Sequence, residues 1–212
     1  VKVCGLSTLE AATSAIASGA NAIGFIFAES RRQVSAAQVR AILDVVDRRD
    51  VRAVGVFVNP DVRNLRALID GSGIDVVQLS GDESPEILEQ IDAEVWKSFR
   101  FGDDVTVSEA SAELERWLGQ ARPPSRLHLD AAVPGSYGGS GHLANWELAA
   151  GLARYYPVIL AGGLTPENVE TAVRQVQPNG VDTSSGVERN GAKDSGRIAD
   201  FVRNAWGVLK SR

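Results

Sequence analysis

Eight short apolar runs, rich in β-branched residues, alternate with amphipathic stretches from one end of this 212-residue chain to the other. The candidate strands are Val1 to Cys4, Ala22 to Phe27, Ala53 to Val58, Val76 to Leu79, Val95 to Phe99, Leu127 to Asp130, Val158 to Ala161 and Val181 to Ser184. Runs of this kind, without polar alternation, read as parallel strands covered on both faces. Helix starts lie between them. Thr8 precedes Leu9-Glu10-Ala11, Ser35 precedes Ala36-Ala37, and Ser84-Pro85-Glu86 and Thr165-Pro166-Glu167 each put proline at the first helical position. Ser108 to Leu118 and Ile198 to Leu209 carry apolar residues at helical spacing. No Pro/Gly/Ser-rich linker interrupts the pattern, so residues 1–212 read as a single α/β domain.

Two of the late strands end in glycine-rich turns. One reads Ala161-Gly162-Gly163-Leu164-Thr165-Pro166, the other Thr183-Ser184-Ser185-Gly186-Val187. Backbone N–H groups at such turns and at helix starts form a cradle for phosphate. A pair after the seventh and eighth strands is the usual phosphate site of a (β/α)8 TIM barrel. Each turn alone is equally compatible with tight turning and nothing more. Eight units average about 26 residues, compact against the roughly 250 typical of that barrel. The rival architecture is a doubly wound open sheet, but no GxGxxG turn follows the first strand.

Composition narrows the classes of function. With 22 basic and 27 acidic side chains, a net charge of −5 disfavours nucleic acid as a partner. No apolar run approaches the roughly 18 residues of a membrane span, and no basic segment followed by an apolar core opens the chain, so a cytoplasmic protein without membrane contact is expected. The single cysteine excludes an internal disulfide, and two histidines give little support for a metal. The chain contains no methionine, which places the initiator outside it.

In a barrel, residues that end different strands converge at one face. Cys4 ends the first strand. A lone cysteine often serves as a small buried hydrophobe, but at this position a thiol, its pKa lowered by electropositive surroundings, could act as a base. Asp130 ends an apolar strand, where desolvation could keep its carboxyl protonated and make it a general acid; a capping role in a turn is the alternative. The glycine-rich segment after it, Ala132 to Gly141, is long enough to contact a substrate. Arg31 and Arg32 follow the second strand, and one of them could clamp a carboxylate; spacing does not say which.

In order along the chain, Lys2-Val3-Cys4-Gly5-Leu6, Gly24-Phe25-Ile26-Phe27 with Ser30-Arg31-Arg32, Val54-Gly55-Val56-Phe57-Val58-Asn59, Gln78-Leu79-Ser80-Gly81, Leu129-Asp130, Tyr137-Gly138-Gly139-Ser140-Gly141 and the two late glycine blocks resemble the phosphoribosylanthranilate isomerase family of tryptophan biosynthesis. The resemblance covers essentially the whole chain. It implies a (β/α)8 barrel that converts N-(5-phosphoribosyl)anthranilate to 1-(2-carboxyphenylamino)-1-deoxyribulose 5-phosphate by an Amadori rearrangement, without metal or organic cofactor. By the same resemblance, Asp130 is the general acid, Cys4 the general base, and Arg32 rather than Arg31 the holder of the anthranilate carboxylate. Gly162, Gly163, Ser184, Ser185 and Gly186 would bind the phosphate, and Asp182 would contact the sugar. The expected partner is a small phosphosugar, and a monomer is expected.

Four positions depart from the family pattern. Ser80 stands where histidine is usual, Gln33 where an aromatic residue is common, Asn145 where aspartate precedes Trp146, and Thr183 where valine is common. The nearest competing enzyme is the histidine-pathway aminoaldose isomerase, which resembles this chain but typically has aspartate at the end of the first strand. A noncatalytic phosphosugar binder is the alternative from another class; it would need the phosphate loops and Arg32, but not both Cys4 and Asp130.

Overall fold

The structure is a computed structural model that describes residues 1–131 and 144–211. Eight parallel strands close into a barrel in sequence order: β1 (Lys2–Val3), β2 (Ala22–Ile26), β3 (Arg52–Phe57), β4 (Val76–Leu79), β5 (Glu94–Phe101), β6 (Arg126–Ala131), β7 (Val158–Leu160) and β8 (Gly180–Thr183). The seam pairs β1 with β8, Lys2 opposite Asp182 and Val3 opposite Thr183. The expected strands are all present, with β4 matching end to end and the others displaced by a residue or two. The open-sheet alternative is thereby excluded.

Around the barrel run α1 (Leu9–Ala17), α2 (Ala36–Leu43), α3 (Val62–Ser72), α4 (Val107–Leu118), α5 (Trp146–Ala153), α6 (Val169–Val176) and α7 (Ser195–Leu209). α7 packs against both α1 and α6 and closes the outer ring. Local chemistry starts these helices. The Thr8 hydroxyl accepts from the Ala11 N–H, and Ser35 with Gln38, like Thr106 with Glu109, makes a reciprocal capping box. Asn145 caps α5 through the Leu148 N–H at 3.0 Å, so asparagine replaces aspartate there without loss of the cap.

Two of the expected helix starts differ. Ser84-Pro85-Glu86 opens a 3-10 helix, Pro85–Gln90, and no α-helix joins β4 to β5. The helical piece is only six residues long, two tight turns, and such short pieces are where 3-10 geometry is used. After β7, residues 166–168 form a turn and α6 begins only at Val169. Thr165 and Asn168 hold that turn together, the Thr165 N–H donating to Asn168 Oδ1 at 2.8 Å. The sequence also did not signal a hairpin between β8 and α7, formed by β9 (Glu188–Arg189) and β10 (Ala192–Lys193).

Strand period separates two cores. Outward residues such as Val3, Phe25, Leu79 and Leu129 join the helices in the main hydrophobic cluster. Facing the lumen, Ala22, Val54, Val76 and Trp96 form a smaller cluster of their own. His128 stacks on Trp96 with ring centroids 5.4 Å apart, and Lys2 is wholly enclosed. The barrel floor is thus filled by side chains, as packed barrels require.

Buried polar groups fix the loops above this floor. Glu83 accepts from the Asn59 and Gly81 N–H groups, each at 2.9 Å, and from Lys97 Nζ at 2.7 Å, joining the loops after β3 and β4 to β5. Across the barrel, a Cβ on Gly186 would lie 1.9 Å from the Leu164 carbonyl oxygen. The Thr183 hydroxyl donates to the same oxygen at 2.7 Å, a bond that valine could not make.

Two stability outcomes follow from this packing. Glu83→Ala leaves Lys97 buried and unpaired and is expected to cost about 3 to 5 kcal/mol in denaturant unfolding, as for other broken buried pairs. Gly186→Ala is expected to cost about 1 to 3 kcal/mol through overpacking; an unchanged midpoint would show that the loops after β7 and β8 can separate freely.

Candidate active site

The carboxyl ends of the strands surround a cavity of about 920 Å3. Cys4, Arg32, Asp130 and Asp182 line it, together with residues 161–164 and 183–186. Every site residue expected from the sequence therefore lies at one mouth of the barrel. The glycine-rich segment Ala132 to Gly141 lies outside the described residues.

Cys4 follows β1 directly, its N–H donating to the Thr183 carbonyl at 2.8 Å. A side chain on Gly24 would collide with the sulfur at 2.6 Å, so the recess that holds the thiol depends on a bare backbone there. Burial pushes the Cys4 thiol up; Lys2 and Lys193 pull it down, Asp182 adds to the rise, and the net pKa lies above the ordinary value. The sequence reading expected electropositive surroundings to win. They do not, because enclosure in the barrel outweighs both ammonium groups.

Asp130 is the penultimate residue of β6 and accepts the Ala131 N–H at 2.8 Å. Burial raises its pKa, with Asp182 adding to the rise against that N–H, Arg100 and Lys2. A carboxyl so placed retains its proton above the usual carboxylate range, as its sequence position suggested. Gly162 makes room beside it: its φ is +83°, and a Cβ there would come within 2.6 Å of the Ala131 nitrogen and 3.1 Å of Asp130 Oδ1.

Beneath these two groups lies a cluster of which the sequence indicated only Asp182. Lys2 Nζ donates to Asp182 Oδ2 at 2.5 Å, both side chains buried. Among the described residues, Asp182 Oδ1 has no hydrogen-bond partner. Burial raises the Asp182 carboxyl despite the pull of Lys2. Burial also opposes the Lys2 charge, but Asp182 and Cys4 outweigh it and raise the lysine's pKa. His128 Nδ1 lies 3.7 Å from Asp182 Oδ2; burial and the Lys2 charge hold the imidazole well below its usual pKa, hence neutral.

Of the two arginines, Arg32 is the buried one, while the Arg31 side chain is about half exposed. Arg32 is already engaged: Nε donates to Glu188 Oε1 at 2.6 Å and Nη2 to Oε2 at 3.2 Å. Arg31 and Lys193 also pair with Glu188. Burial disfavours the Glu188 carboxylate, yet these partners hold its pKa at about 2. Glu188 therefore takes Nε and Nη2 of Arg32, and no hydrogen bond from a described residue engages Nη1. Lys193 Nζ also bonds the Ser184 carbonyl at 2.8 Å, tying the hairpin to the loop after β8.

Ser80 also lines the cavity; its hydroxyl accepts from Gln78 Nε2 at 3.2 Å. Gln78 Oε1 is buried without a partner among the described residues. Gln33 lies aside from this chemistry, donating to the Phe27 carbonyl at 3.0 Å and folding the loop after β2 back on its strand. Among the described residues, no helix is long and apolar enough to cross a membrane.

Comparison with known proteins agrees with this geometry. The profile of the family described as N-(5'phosphoribosyl)anthranilate (PRA) isomerase matches residues 1–204. An N-(5'-phosphoribosyl)anthranilate isomerase of Roseiflexus sp. (strain RS-1) is 46% identical, over 97% of this chain and 96% of that protein. Among solved structures, the phosphoribosyl anthranilate isomerase of Thermotoga maritima superposes with a TM-score of 0.82 at 32% identity, covering 97% of this chain and 98% of that one. Another, a phosphoribosyl anthranilate isomerase in complex with reduced 1-(o-carboxyphenylamino)-1-deoxyribulose 5-phosphate, gives 0.80 at 31% identity, with 97% of each chain covered. With a profile match over nearly its full length and relatives well above 30% identity, the chain belongs to the N-(5'-phosphoribosyl)anthranilate isomerase family.

Proposed function

We propose that this barrel isomerises N-(5-phosphoribosyl)anthranilate to 1-(2-carboxyphenylamino)-1-deoxyribulose 5-phosphate in tryptophan biosynthesis, with Asp130 as general acid and Cys4 as general base. The observation that carries this reading is the opening of both groups into one cavity beside the paired glycine loops. Asp130 gives its proton to the furanose ring oxygen as the C1′–O bond breaks, and the anthranilate nitrogen lone pair forms the C1′=N bond. Cys4, as thiolate, then takes the proton from C2′. That electron pair becomes the C1′=C2′ bond, and the iminium pair returns to nitrogen. Proton transfer to C1′ converts the enol at C2′ to the ketone, so no atom is gained or lost.

The phosphate is assigned to the backbone around Gly162, Gly163, Ser184, Ser185 and Gly186. Support comes from the first N–H groups of the 3-10 turn Ser185–Val187, which have no acceptor within the turn. Arg32 is assigned to the anthranilate carboxylate through the guanidinium edge that Glu188 leaves open. The unpartnered Asp182 Oδ1 is the acceptor for a sugar hydroxyl.

Both pKa values bear on the pH profile. Asp130 must carry its proton and Cys4 must have lost its own, yet both are shifted upward. The active form is then a minor one: raising pH enriches thiolate and depletes the acid. A bell-shaped profile is expected, its alkaline side drawn out by the raised thiol; a flat profile through neutrality would show that neither group titrates in catalysis.

Fluorescence of freshly generated phosphoribosylanthranilate is expected to decay faster with the protein than by spontaneous hydrolysis, with the deoxyribulose product formed. Cys4→Ser and Asp130→Asn should each lose at least about 10²-fold in kcat while folded. Near wild-type turnover in either one removes that residue from the mechanism. Arg32→Ala should raise KM by about 10- to 100-fold, the worth of a charge-assisted hydrogen bond, with a smaller change in kcat; an unchanged KM would mean that the carboxylate is held elsewhere.

A further inference from the structure

We propose that Lys2 is the positioning residue of the base, an ammonium locked by Asp182 against the floor of the cavity so that a thiolate can form at Cys4 inside a closed barrel. The inference rests on Cys4 being the base and goes beyond it in naming what makes the base possible. Lys2, in β1, and Cys4, directly after it and still bonded to β8 through its N–H, are two residues apart and so face the same inner wall. The ammonium donates to Asp182 Oδ2 at 2.5 Å, and its charge favours the Cys4 thiolate. Only 2% of the lysine is exposed, in a floor otherwise made of Ala22, Val54, Val76, Trp96 and neutral His128.

A lysine there costs several kcal/mol of desolvation, and an apolar side chain of the same length would fill the space without that cost. Pairing with Asp182 offsets the loss but does not account for the position, since removing both charges would serve the packing as well. What the pair adds is an oriented dipole: the cation stands next to the sulfur, while the second carboxylate oxygen remains unpartnered.

The other charged groups around the thiol do not replace it. Lys193, on β10, is committed to Glu188 and to the Ser184 carbonyl. Arg32 is committed to Glu188 as well, and Asp130, on β6, belongs to the acid. Asp182, on β8, works against the thiolate. Lys2 is the cation on the same inner wall as the sulfur, and its pull on the thiol exceeds that of Lys193.

Because Cys4 is the sole cysteine, thiolate absorbance near 240 nm and iodoacetamide alkylation report it without background, and Cys4→Ser supplies the blank. The full chain is compared as wild type, Lys2→Met, Lys2→Arg, Asp182→Asn and the double variant Lys2→Met with Asp182→Asn. The double variant leaves no unpaired buried charge, so it tests the idea even if Lys2→Met alone does not fold. Asp182→Asn should move the thiol titration to lower pH. Adding Lys2→Met should move it back up by at least about one pH unit, a tenfold loss of thiolate at a given pH. In Lys2→Met the alkaline limb of kcat/KM should move up with the thiol, kcat should fall with KM nearly unchanged, and Lys2→Arg should recover part of it.

Coincident thiol titrations in folded Asp182→Asn and in the double variant would overturn the proposal, as would a loss of kcat with an unmoved pH profile. Either result leaves the base assignment standing. That assignment fails separately, through full activity of Cys4→Ser.

Discussion

Everything at the mouth of this barrel depends on one buried ion pair at its seam. Lys2 and Asp182 face each other across the β1–β8 closure, where register puts their Cα atoms side by side. Two isolated charges could not remain ionised in that floor, and each is tolerable only because the other is there. The last strand is thereby matched to the first by charge as well as by the hydrogen-bond ladder. The same pair sets the potential felt by the thiol above it and by the carboxyl of Asp130 across the lumen. Structure and chemistry draw on one contact, so damage to it cannot be confined to either.

A second charge cluster does the equivalent work at the rim. Glu188 gathers Arg31, Arg32 and Lys193 around a single carboxylate. Its low pKa means that this arrangement persists across the physiological range. Arg32 is thus held in a fixed plane before any ligand arrives, with its entropy already lost in folding rather than in binding. The hairpin β9–β10 exists in the right place to do this, since Glu188 starts one strand and Lys193 ends the other.

Much of this was legible in the sequence, for physical reasons that also explain the remainder. Strands buried on both faces leave continuous apolar runs, which is why all eight were visible and only their ends were uncertain. The 3-10 helix after β4 carries the same Ser-Pro-Glu signal as an α-helix start, and only its short length distinguishes the two. Gly186 read as a place for a ligand to approach, whereas its tightest neighbour is the Leu164 carbonyl. The Arg32–Glu188 pair joins residues 156 positions apart, and nothing local to either announces the other. Lys2 was different. Period-two alternation already put its ammonium on the same face as Cys4, so a charged residue at that spacing was a signal available before any fold was known.

The two proposed catalytic groups share a problem that the fold resolves unequally. Asp182 raises the pKa of both Asp130 and Cys4, so a single buried carboxylate favours keeping protons on both. For an acid that is the required state; for a base it is the wrong one. Lys2 offsets part of that rise at the thiol, where it is the foremost group favouring the charged form, whereas at Asp130 the Ala131 N–H and Arg100 act more strongly than Lys2. One cation therefore bears unequally on two groups that burial alone would treat alike. The asymmetry originates in topology: β1 carries the lysine and leads directly into the base, while β6 brings the acid from another strand with neutral His128 two residues before it.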